Sequence, residues 1–263
     1  MPQLMPFSKT LFRPNLFVRR ISAAPVLRFL SAAALLGALS GCQGIVSSPV
    51  LSQLRVITAS PDAPGLDIYQ DANPLVYNLG FGTVTSYVAL APGTFTISAK
   101  SSGSSQVLIS AKGTVAATGQ YTVLIGNSLA SLQETILKDQ SQAAPSGQIA
   151  LRFIDQATKF TSGFDVYLVP AGKTLTAVTP LISNLTFSTN TGYLNVPTGT
   201  YTIVMVPTGT VPTSTTVATY TGAQIAYAGG SARTIILIDQ QLVTTPGLQL
   251  ITAADYDSPT ATS

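Results

Sequence analysis

The chain has 263 residues, of which 46% are hydrophobic and 9% are charged, and its formal net charge is +3. It contains no histidine, no tryptophan and a single cysteine. These absences exclude Ser-His-Asp and Cys-His nucleophile systems and the usual zinc sites. We therefore expect neither catalytic activity nor a cofactor.

The first 41 residues have the pattern of an export signal. Five basic residues and no acidic residue precede the apolar run "FLSAAALLGALSG" at 29–41. A membrane-spanning helix needs roughly 20 apolar residues. A basic region, a short apolar core and small residues at its end are instead typical of a signal peptide. We predict an N-terminal signal helix over residues 1–41.

The signal ends in Leu39, Ser40, Gly41 and Cys42, which resembles the lipobox of bacterial lipoproteins. The resemblance implies cleavage before Cys42 and diacylation of its thiol; a chance cysteine at an ordinary cleavage site is the alternative. Two or three acyl chains anchor a protein stably, since each buried CH₂ contributes about 0.8 kcal/mol. Gln43 stands where an aspartate typically retains lipoproteins in the inner membrane, so we expect anchoring in the cell envelope at the outer membrane.

Removal of the signal changes the charge balance. Five of the 13 basic residues lie in the signal, which leaves eight basic against ten acidic residues from Cys42 onward. Nucleic-acid binding needs a clustered basic footprint. We therefore expect no nucleic-acid partner.

The rest of the chain contains two copies of one domain. "DIY" at 67–69 returns as "DVY" at 165–167, and "YVALAPGTFTI" at 87–97 returns as "YLNVPTGTYTI" at 193–203. The offset grows from 98 to 106 residues between these blocks, which indicates loop insertions in the second copy. The predicted organisation is a flexible tether over 42–52, a first domain over 53–140, a linker over 141–147, a second domain over 148–254 and a disordered tail over 255–263.

Each copy has the pattern of an all-β fold. Short apolar and β-branched runs recur along it, separated by turn signals such as "PDAPG" and "SSGSS". In "TFTISAK" at 94–100, apolar and polar residues alternate as in a strand with one buried face. About seven short strands in roughly 90 residues are typical of an immunoglobulin-like (Ig-like) sandwich. We predict two tandem Ig-like β-sandwich domains, with a small propeller-like or barrel arrangement as the alternative.

The first copy also resembles a known family. "LRVITASPDAPGLDIY" at 54–69 and "FGTVTSYVALAPGTFTI" at 81–97 are similar to the bacterial envelope family called domain of unknown function 4397. That family opens on a motif close to V-x-H-A-S-P-D-A-P-x-V-D-V-Y. Its histidine is Thr58 here, and the second copy lacks "SPDAP". The resemblance implies secreted or lipid-anchored, often duplicated domains, and no activity is established for the family.

Three aspartates near this motif are the candidate site residues. Asp62, Asp67 and Asp71 could supply oxygen ligands to Ca²⁺, which takes six to eight oxygens at about 2.3–2.6 Å. Alternatively, aspartates in such a segment hydrogen-bond the nearby backbone and only stabilise a turn. The second copy offers only Asp155 and Asp165, which does not favour a metal site.

An arginine and an aspartate recur together in both copies. Arg55 and Asp67 of the first copy return as Arg152 and Asp165 of the second. Each lies between inward-facing apolar neighbours and therefore points away from the core. We predict one cross-strand ion pair in each domain, Arg55–Asp67 and Arg152–Asp165.

Tyrosines form the other recurring element of the repeats. Rows of exposed tyrosines bind sugars or peptides by stacking and hydrogen bonding. Core tyrosines with one solvated hydroxyl give the same sequence pattern, so both interpretations stay open. The tyrosines in or beside the repeat blocks are Tyr69, Tyr77, Tyr87, Tyr167, Tyr193 and Tyr201.

These features predict a non-catalytic, lipid-anchored cell-envelope protein that acts as an adhesion, assembly or scaffold module. Its partners would be the membrane, through the lipidated cysteine, and an unknown protein or glycan. The alternative is a ligand-binding lipoprotein that recognises glycans or Ca²⁺, and a carboxylate-dependent hydrolase is a third hypothesis. The Thr-, Ser-, Pro- and Gly-rich segment at 206–224 is a further candidate for partner contact.

Overall fold

The computed structural model describes residues 50–241 and 247–257. The predicted signal helix, the lipobox with Cys42 and residues 258–263 lie outside these ranges. Within them the regular secondary structure is β-strand, apart from two short 3₁₀ turns at Leu129–Ser131 and Leu175–Ala177. In this part of the chain no helix is long and apolar enough to cross a membrane.

The first sandwich consists of β1 (Ser52–Thr58), β2 (Leu66–Gln70), β3 (Asn73–Leu79), β4 (Val88–Leu90), β5 (Gly93–Ser101), β6 (Val107–Val115), β7 (Gln120–Gly126) and β8 (Gln133–Asp139). Its strands form two sheets, with the orders β4-β1-β7-β8 and β3-β2-β5-β6. Strands β1 and β7 are parallel, whereas the other neighbours are antiparallel.

The second sandwich consists of β9 (Gln148–Asp155), β10 (Phe164–Pro170), β11 (Ile182–Leu185), β12 (Asn190–Pro197), β13 (Gly199–Pro207), β14 (Tyr220–Tyr227), β15 (Ala232–Asp239) and β16 (Leu248–Tyr256). Its sheets have the orders β12-β9-β15-β16 and β11-β10-β13-β14. This order repeats that of the first sandwich strand for strand. The prediction of two tandem Ig-like sandwiches is therefore confirmed.

Alternating side chains build the core of each sandwich. In β5, Phe95, Ile97 and Ala99 are buried, while Thr96 and Ser98 between them face outward. Each fully buried large apolar side chain stabilises the fold by roughly 1.5–3 kcal/mol. Without a disulfide or a tryptophan, this packing supplies the cohesion of each core.

The two sandwiches pack against each other through one sheet each. We call β4-β1-β7-β8 and β12-β9-β15-β16 the inner sheets, and the other two the outer sheets. Along β1, Leu54 and Val56 enter the first core, whereas Ile57 faces the second sandwich. The central strands β1, β7, β9 and β15 are thus buried on both faces, in agreement with their mainly apolar sequences. The cluster between the sandwiches contains Ile57, Ala59, Leu124, Leu137, Ile154, Ile236, Ile238, Ile251 and Ala253.

The structure moves two of the predicted boundaries. Ser52, placed in the tether, is buried at the start of β1 and its hydroxyl donates to the Leu90 carbonyl (2.9 Å). Asp255 and Tyr256, placed in the tail, belong to β16. Both boundaries move for the same reason. Polar residues at the strand ends contact other strands: Ser52 bonds Leu90, and Asp255 pairs with Arg55.

Insertions in the second copy cover its outer sheet. The segments 171–181 and 208–219 replace the much shorter connections 71–72 and 102–106 of the first copy. Part of each insertion packs on outward-facing side chains, so that a second apolar cluster forms there. It consists of Tyr167, Val169, Val204 and Val206, with Leu175, Val178 and Ala218 packed against them.

Candidate functional site

The three candidate aspartates each accept hydrogen bonds from the backbone of other segments of the chain. Asp67 accepts hydrogen bonds from the backbone N–H groups of Asn78 (2.8 Å) and Gly103 (3.2 Å), and the Asn78 bond is the main cause that lowers the pKa of Asp67. The equivalent Asp165 accepts the equivalent bonds from Asn184 (2.9 Å) and Gly209 (3.0 Å).

Asp62 and Asp71 are engaged in the same way. Asp62 accepts from the N–H of Leu129 (2.7 Å), and Asp71 accepts from the N–H of Thr96 (2.8 Å). No group of three or more Asp, Glu or Cys side chains that could hold a metal ion occurs within residues 50–241 and 247–257. All three aspartates accept backbone N–H groups that are remote in sequence, and none of these bonds is the short-range turn bond of the sequence hypothesis.

The predicted ion pairs Arg55–Asp67 and Arg152–Asp165 are wrong. Arg55 lies on an inner sheet and Asp67 on an outer sheet, with the hydrophobic core between them. Both side chains point away from that core and therefore leave the sandwich on opposite sides. Alternation along a strand correctly predicts the outward direction, but it does not tell which sheet contains the strand.

Both arginines instead bridge the two sandwiches. Arg55 of the first sandwich forms a buried ion pair with Asp255 of the second. Arg152 of the second sandwich forms one with Asp139 of the first, at 2.5 Å between Nη2 and Oδ1. Arg55 also lies 3.7 Å from Asp139, so the four charges form one cluster.

Two threonines complete this buried cluster. The Nε atom of Arg55 donates to Thr122 (2.8 Å), whose hydroxyl donates to Asp139 (2.5 Å). In the second sandwich the equivalent bonds run from Arg152 to Thr234 (3.0 Å) and from Thr234 to Asp255 (2.7 Å). Each carboxylate is therefore held by a threonine of its own sandwich and by an arginine of the other.

Tyr87 and Tyr193 lie over the two guanidinium groups. The Arg55 Cζ atom is 4.6 Å from the centre of the Tyr87 ring, and Arg152 is 4.7 Å from that of Tyr193. The Tyr87 hydroxyl donates to Asp139 (2.7 Å). Burial raises the pKa of both tyrosines far above its usual value. Two of the candidate tyrosines, both partly buried, thus belong to the contact between the sandwiches, where the charges are paired.

The threonine and aspartate partners of the two arginines were not predicted, although both residue types recur in the two copies. Thr122 recurs as Thr234 within "YTV" and "RTI", and Asp139 recurs as Asp255 at the end of each copy. Recurrence of three polar residue types, Arg, Thr and Asp, in strands that are otherwise mostly apolar indicates a shared buried contact.

Two neighbouring carboxylates in the second sandwich, Asp155 and Asp239, accept hydrogen bonds from the backbone of the loop at 157–159. Burial, and to a smaller extent neighbouring Asp239, raise the pKa of Asp155 to about 6. Asp155 accepts from the N–H of Ala157 (2.8 Å), and Asp239 accepts from the N–H groups of Thr158 (2.9 Å) and Lys159 (3.1 Å). Both aspartates are almost fully buried, so a substrate has no direct access to them.

A cavity in the first sandwich also lacks charged groups. It measures about 420 Å³ and lies at the end of the first sandwich where β1 begins. Its lining includes Ser52, Gln53, Gln120 and Ser141, and contains no charged side chain. Such a lining does not favour acid–base or nucleophilic chemistry.

Half-buried Tyr69 and exposed Tyr77 form an aromatic pair on the outer sheet of the first sandwich. Their rings meet edge to face, with centroids 6.2 Å apart, and Tyr77 is 61% exposed. The Lys100 Nζ atom lies 4.4 Å from the centre of the Tyr69 ring. Tyr167 and Tyr201, by contrast, are buried in the second sandwich.

Polar side chains surround this pair. In the sheet register Tyr69 lies beside Ser98, and Ser98 lies beside Ser110. One row further along the sheet, Thr96 lies beside the exposed Lys112. We call this surface the tyrosine face; it comprises Tyr69, Tyr77, Ser98, Lys100, Ser110 and Lys112.

The tyrosine face is open because the first copy lacks the insertions. Tyr167 is the repeat equivalent of Tyr69, yet it is only 3% exposed because the insertions of the second copy pack over it. Two homologous sheets thus differ in one respect that matters for binding: one is covered by its own chain and the other presents aromatic rings to solvent.

Comparison with known families identifies the chain. A family described as "Domain of unknown function (DUF4397)" matches residues 52–167 and 161–263. The chain belongs to the DUF4397 family. The two matches overlap at 161–167; the first covers the whole first copy and extends into the second, and the second match covers most of the second copy.

The structure shows what the "SPDAP" segment of the first DUF4397 copy does. Ser60 is buried, and Asp62 receives the N–H of Leu129 (2.7 Å). The Pro61 carbonyl accepts a hydrogen bond from Gln241 of the second copy (3.1 Å). The segment is therefore a rigid connection between β1 and β2 that also contacts the neighbouring sandwich.

Solved structures resemble the DUF4397 chain only distantly. A carbohydrate-binding module of family CBM26 from Eubacterium rectale, solved in complex with maltoheptaose, has 12% identity and a TM-score of 0.22; the match covers 78% of this chain and 98% of that one. A Bacteroides fragilis NCTC 9343 protein, for which a cell-adhesion role has been proposed, has 11% identity and a TM-score of 0.19, with 79% and 100% coverage. A search of curated proteins found no match. At these TM-scores the superpositions support no inference about function.

Proposed function

We propose that this DUF4397 protein is a non-catalytic, lipid-anchored adhesion module of the bacterial cell envelope that binds glycans through the tyrosine face. The observation that carries the proposal is the ring pair of half-buried Tyr69 and exposed Tyr77, with Lys100 beside it, on a sheet face that no insertion covers in the first copy. In the second copy the homologous tyrosine is buried, so the ring pair is not a requirement of the fold.

The chemistry of the tyrosine face suits a sugar chain. An aromatic ring offers a flat apolar surface to the C–H groups of a pyranose, and the phenol hydroxyl remains free for hydrogen bonding. Ser98 and Ser110 add hydroxyl groups, and Lys100 adds an N–H donor that is held against Tyr69. A ladder of polar groups beside two rings is the combination that orients a ligand on a largely pre-formed surface.

The contacts of the acidic side chains support a non-catalytic function. Asp139 and Asp255 are paired with arginines, and Asp155 and Asp239 hold a loop. The aspartates near the "SPDAP" segment accept backbone N–H groups. These carboxylates are therefore committed to the fold.

Binding to glycans is tested by thermal unfolding of the purified protein against a panel of cell-envelope polysaccharides. A ligand at about 100 times its Kd stabilises by roughly 2.7 kcal/mol, which raises the Tm by a few degrees. We expect Tyr77→Ala and Tyr69→Ala to weaken binding about tenfold or more, because each removes a stacking ring. Thr114→Ala, on the same outer sheet but away from the rings, is the matched control. If no polysaccharide shifts the Tm, the glycan proposal fails and scaffolding through a protein partner becomes the better hypothesis.

Lipid anchoring rests on the lipobox resemblance of residues 39–42, and it has its own test. We expect Cys42→Ser to keep the signal and to lose the acyl mass, because only the thiol forms the thioether to the lipid. Gln43→Asp is the matched variant: it should keep the acyl groups and move the protein from the outer to the inner membrane. Mass spectrometry and membrane fractionation measure both effects, and an unchanged mass for Cys42→Ser would refute the anchor.

A further inference from the structure

A smaller cavity lies at the margin of the first sandwich, beside the edge strands β3 and β4. It measures about 140 Å³. Leu54 and Val56 at its inner end are buried, whereas Ser86 and Val88 at its outer end are exposed. The lining is completed by Leu75, Val76 and Thr85, and it contains no charged side chain. The cavity therefore leads from the surface into the apolar core.

The second copy has larger side chains at three of these positions. The repeat and the strand registers align Val56 with Phe153, Val76 with Ile182, and Val88 with Leu194. Phe153 is fully buried and packs in the second core. A phenylalanine side chain has four more heavy atoms than valine, and isoleucine and leucine have one more each. The first copy thus lacks six heavy atoms at these three positions.

The missing atoms correspond in number to one aromatic ring. An apolar protein cavity of about 150 Å³ is large enough to bind benzene, and the cavity of the first copy is close to this size. In the second copy, the ring of Phe153 enters the core from the position equivalent to Val56. The opening is therefore not a requirement of the fold, and the side chain that replaces Val56 in the second copy indicates the kind of group that fits there.

We propose that the cavity binds a small, neutral molecule that has one aromatic ring and a polar substituent. The ring would lie against Leu54, Val56 and Val76, and the substituent would remain at the outer end beside Ser86. The ligand must be neutral, because transfer of an unpaired ion into an apolar site is very unfavourable. A ring is favoured over an alkyl chain of equal size, because a rigid ligand loses less conformational entropy on binding.

The test uses the purified protein with ¹³C-labelled valine and leucine methyl groups, and benzyl alcohol is the probe. We expect the probe to shift the methyl resonances of Leu54, Val56 and Val76 with a Kd of roughly 1 mM, as is reasonable for so small a ligand. The methyl resonances of Val107, an exposed valine on β6, should not respond.

Two variants that introduce the residues of the second copy make the cavity smaller. Val56→Phe should weaken the binding of benzyl alcohol about tenfold or more, because the new ring occupies the same space. If this variant does not fold, Val76→Ile combined with Val88→Leu adds less volume and should weaken binding about threefold. Val107→Phe places the same new residue on the surface, and this matched control should keep the affinity of the parent protein.

1-Heptanol has as many heavy atoms as benzyl alcohol but no ring, so it distinguishes a ring site from a general apolar gap. The proposal is wrong if benzyl alcohol leaves the cavity resonances unchanged, if the filled variants bind it as well as the parent does, or if 1-heptanol binds more tightly.

This site does not depend on glycan binding. The tyrosine face lies on the outer surface of the sheet β3-β2-β5-β6, whereas the cavity leads into the core between the two sheets. Tyr77→Ala should therefore leave the binding of benzyl alcohol unchanged, and either proposal can fail without the other.

Discussion

Glu134 is a buried acid that the structure leaves without a hydrogen-bond partner. It lies on β8, two residues before Ile136, whose side chain packs against the first core. Both carboxylate oxygens are shielded from solvent and accept no hydrogen bond in the described part of the chain. Burial raises the pKa of Glu134 to about 7. An unpaired carboxylate in such surroundings opposes folding when it is ionised.

We predict that Glu134→Gln stabilises the protein at high pH only. Because the pKa in the folded state is above the ordinary value of 4.5, the stability of the parent protein is fully present below about pH 4.5 and decreases as the pH rises through about 7. The glutamine variant has no ionisable group at this position, so its stability does not decrease in this way as the pH rises. We expect a gain of about 1–2 kcal/mol in the free energy of unfolding at pH 8, after allowance for partial solvent screening.

Urea unfolding at pH 4.5 and pH 8 measures this effect. Lys138→Gln, which removes an exposed charge from the same strand, is the control and should show no comparable gain at pH 8. Equal stabilisation by Glu134→Gln at both pH values would contradict the explanation, since ionisation could not then be its cause.

Among the structural elements, the insertions of the second copy decide which sheet face is open. They bury Tyr167 together with Val204 and Val206, and Ala218 of the second insertion packs on this cluster. The adjacent Val217 is 88% exposed. The same loop thus contains one residue that holds it to the sheet and a neighbour that faces solvent.

This contrast gives a matched pair of variants. We predict that Ala218→Asp lowers the free energy of unfolding by about 1–3 kcal/mol, because it places a charge against an apolar cluster. Val217→Asp should change it by less than about 0.5 kcal/mol. Chemical unfolding measures both, and equal effects of the two variants would show that the insertion does not pack on the sheet.

Sequence patterns predicted the strands better than the contacts between sheets. The alternation in "TFTISAK" gave the buried face of β5, and the growing repeat offset located the insertions. Alternation reports only which way a side chain points, however, so it could not separate Arg55 and Asp67 into two sheets. Exposure of Tyr69 and burial of Tyr167 depend on distant insertions, which local pattern does not reveal.

At the scale of the whole molecule, the two sandwiches form one compact unit. Arg55 contacts Asp255 and Arg152 contacts Asp139, so each arginine uses the carboxylate of the other copy. Such reciprocal contacts are those of a two-fold interface. Removal of one sandwich would leave the remaining arginine and aspartate of the cluster without their ion-pair partners and would expose the remaining half of the apolar cluster between the sandwiches.

We therefore predict that an isolated second sandwich, residues 148–263, forms a homodimer through its inner sheet. In that dimer Arg152 of one copy would pair with Asp255 of the other, and Ile154, Ile236 and Ile251 would again be covered. Each buried charge that loses its partner costs several kcal/mol, so a stable monomer is not expected. Light scattering coupled to size-exclusion chromatography should give twice the fragment mass for the folded species.

A charge substitution separates this dimer from unspecific association. Arg152→Glu would place two like charges against each other and should prevent the dimer. Arg233→Glu, which disrupts the partly exposed pair with Asp257 at the sheet margin, should leave it intact. A folded, monomeric fragment at micromolar concentration would contradict the prediction. It would mean that one sandwich tolerates an exposed inner sheet, and the reciprocal pairs would then orient the two copies without being needed for their stability.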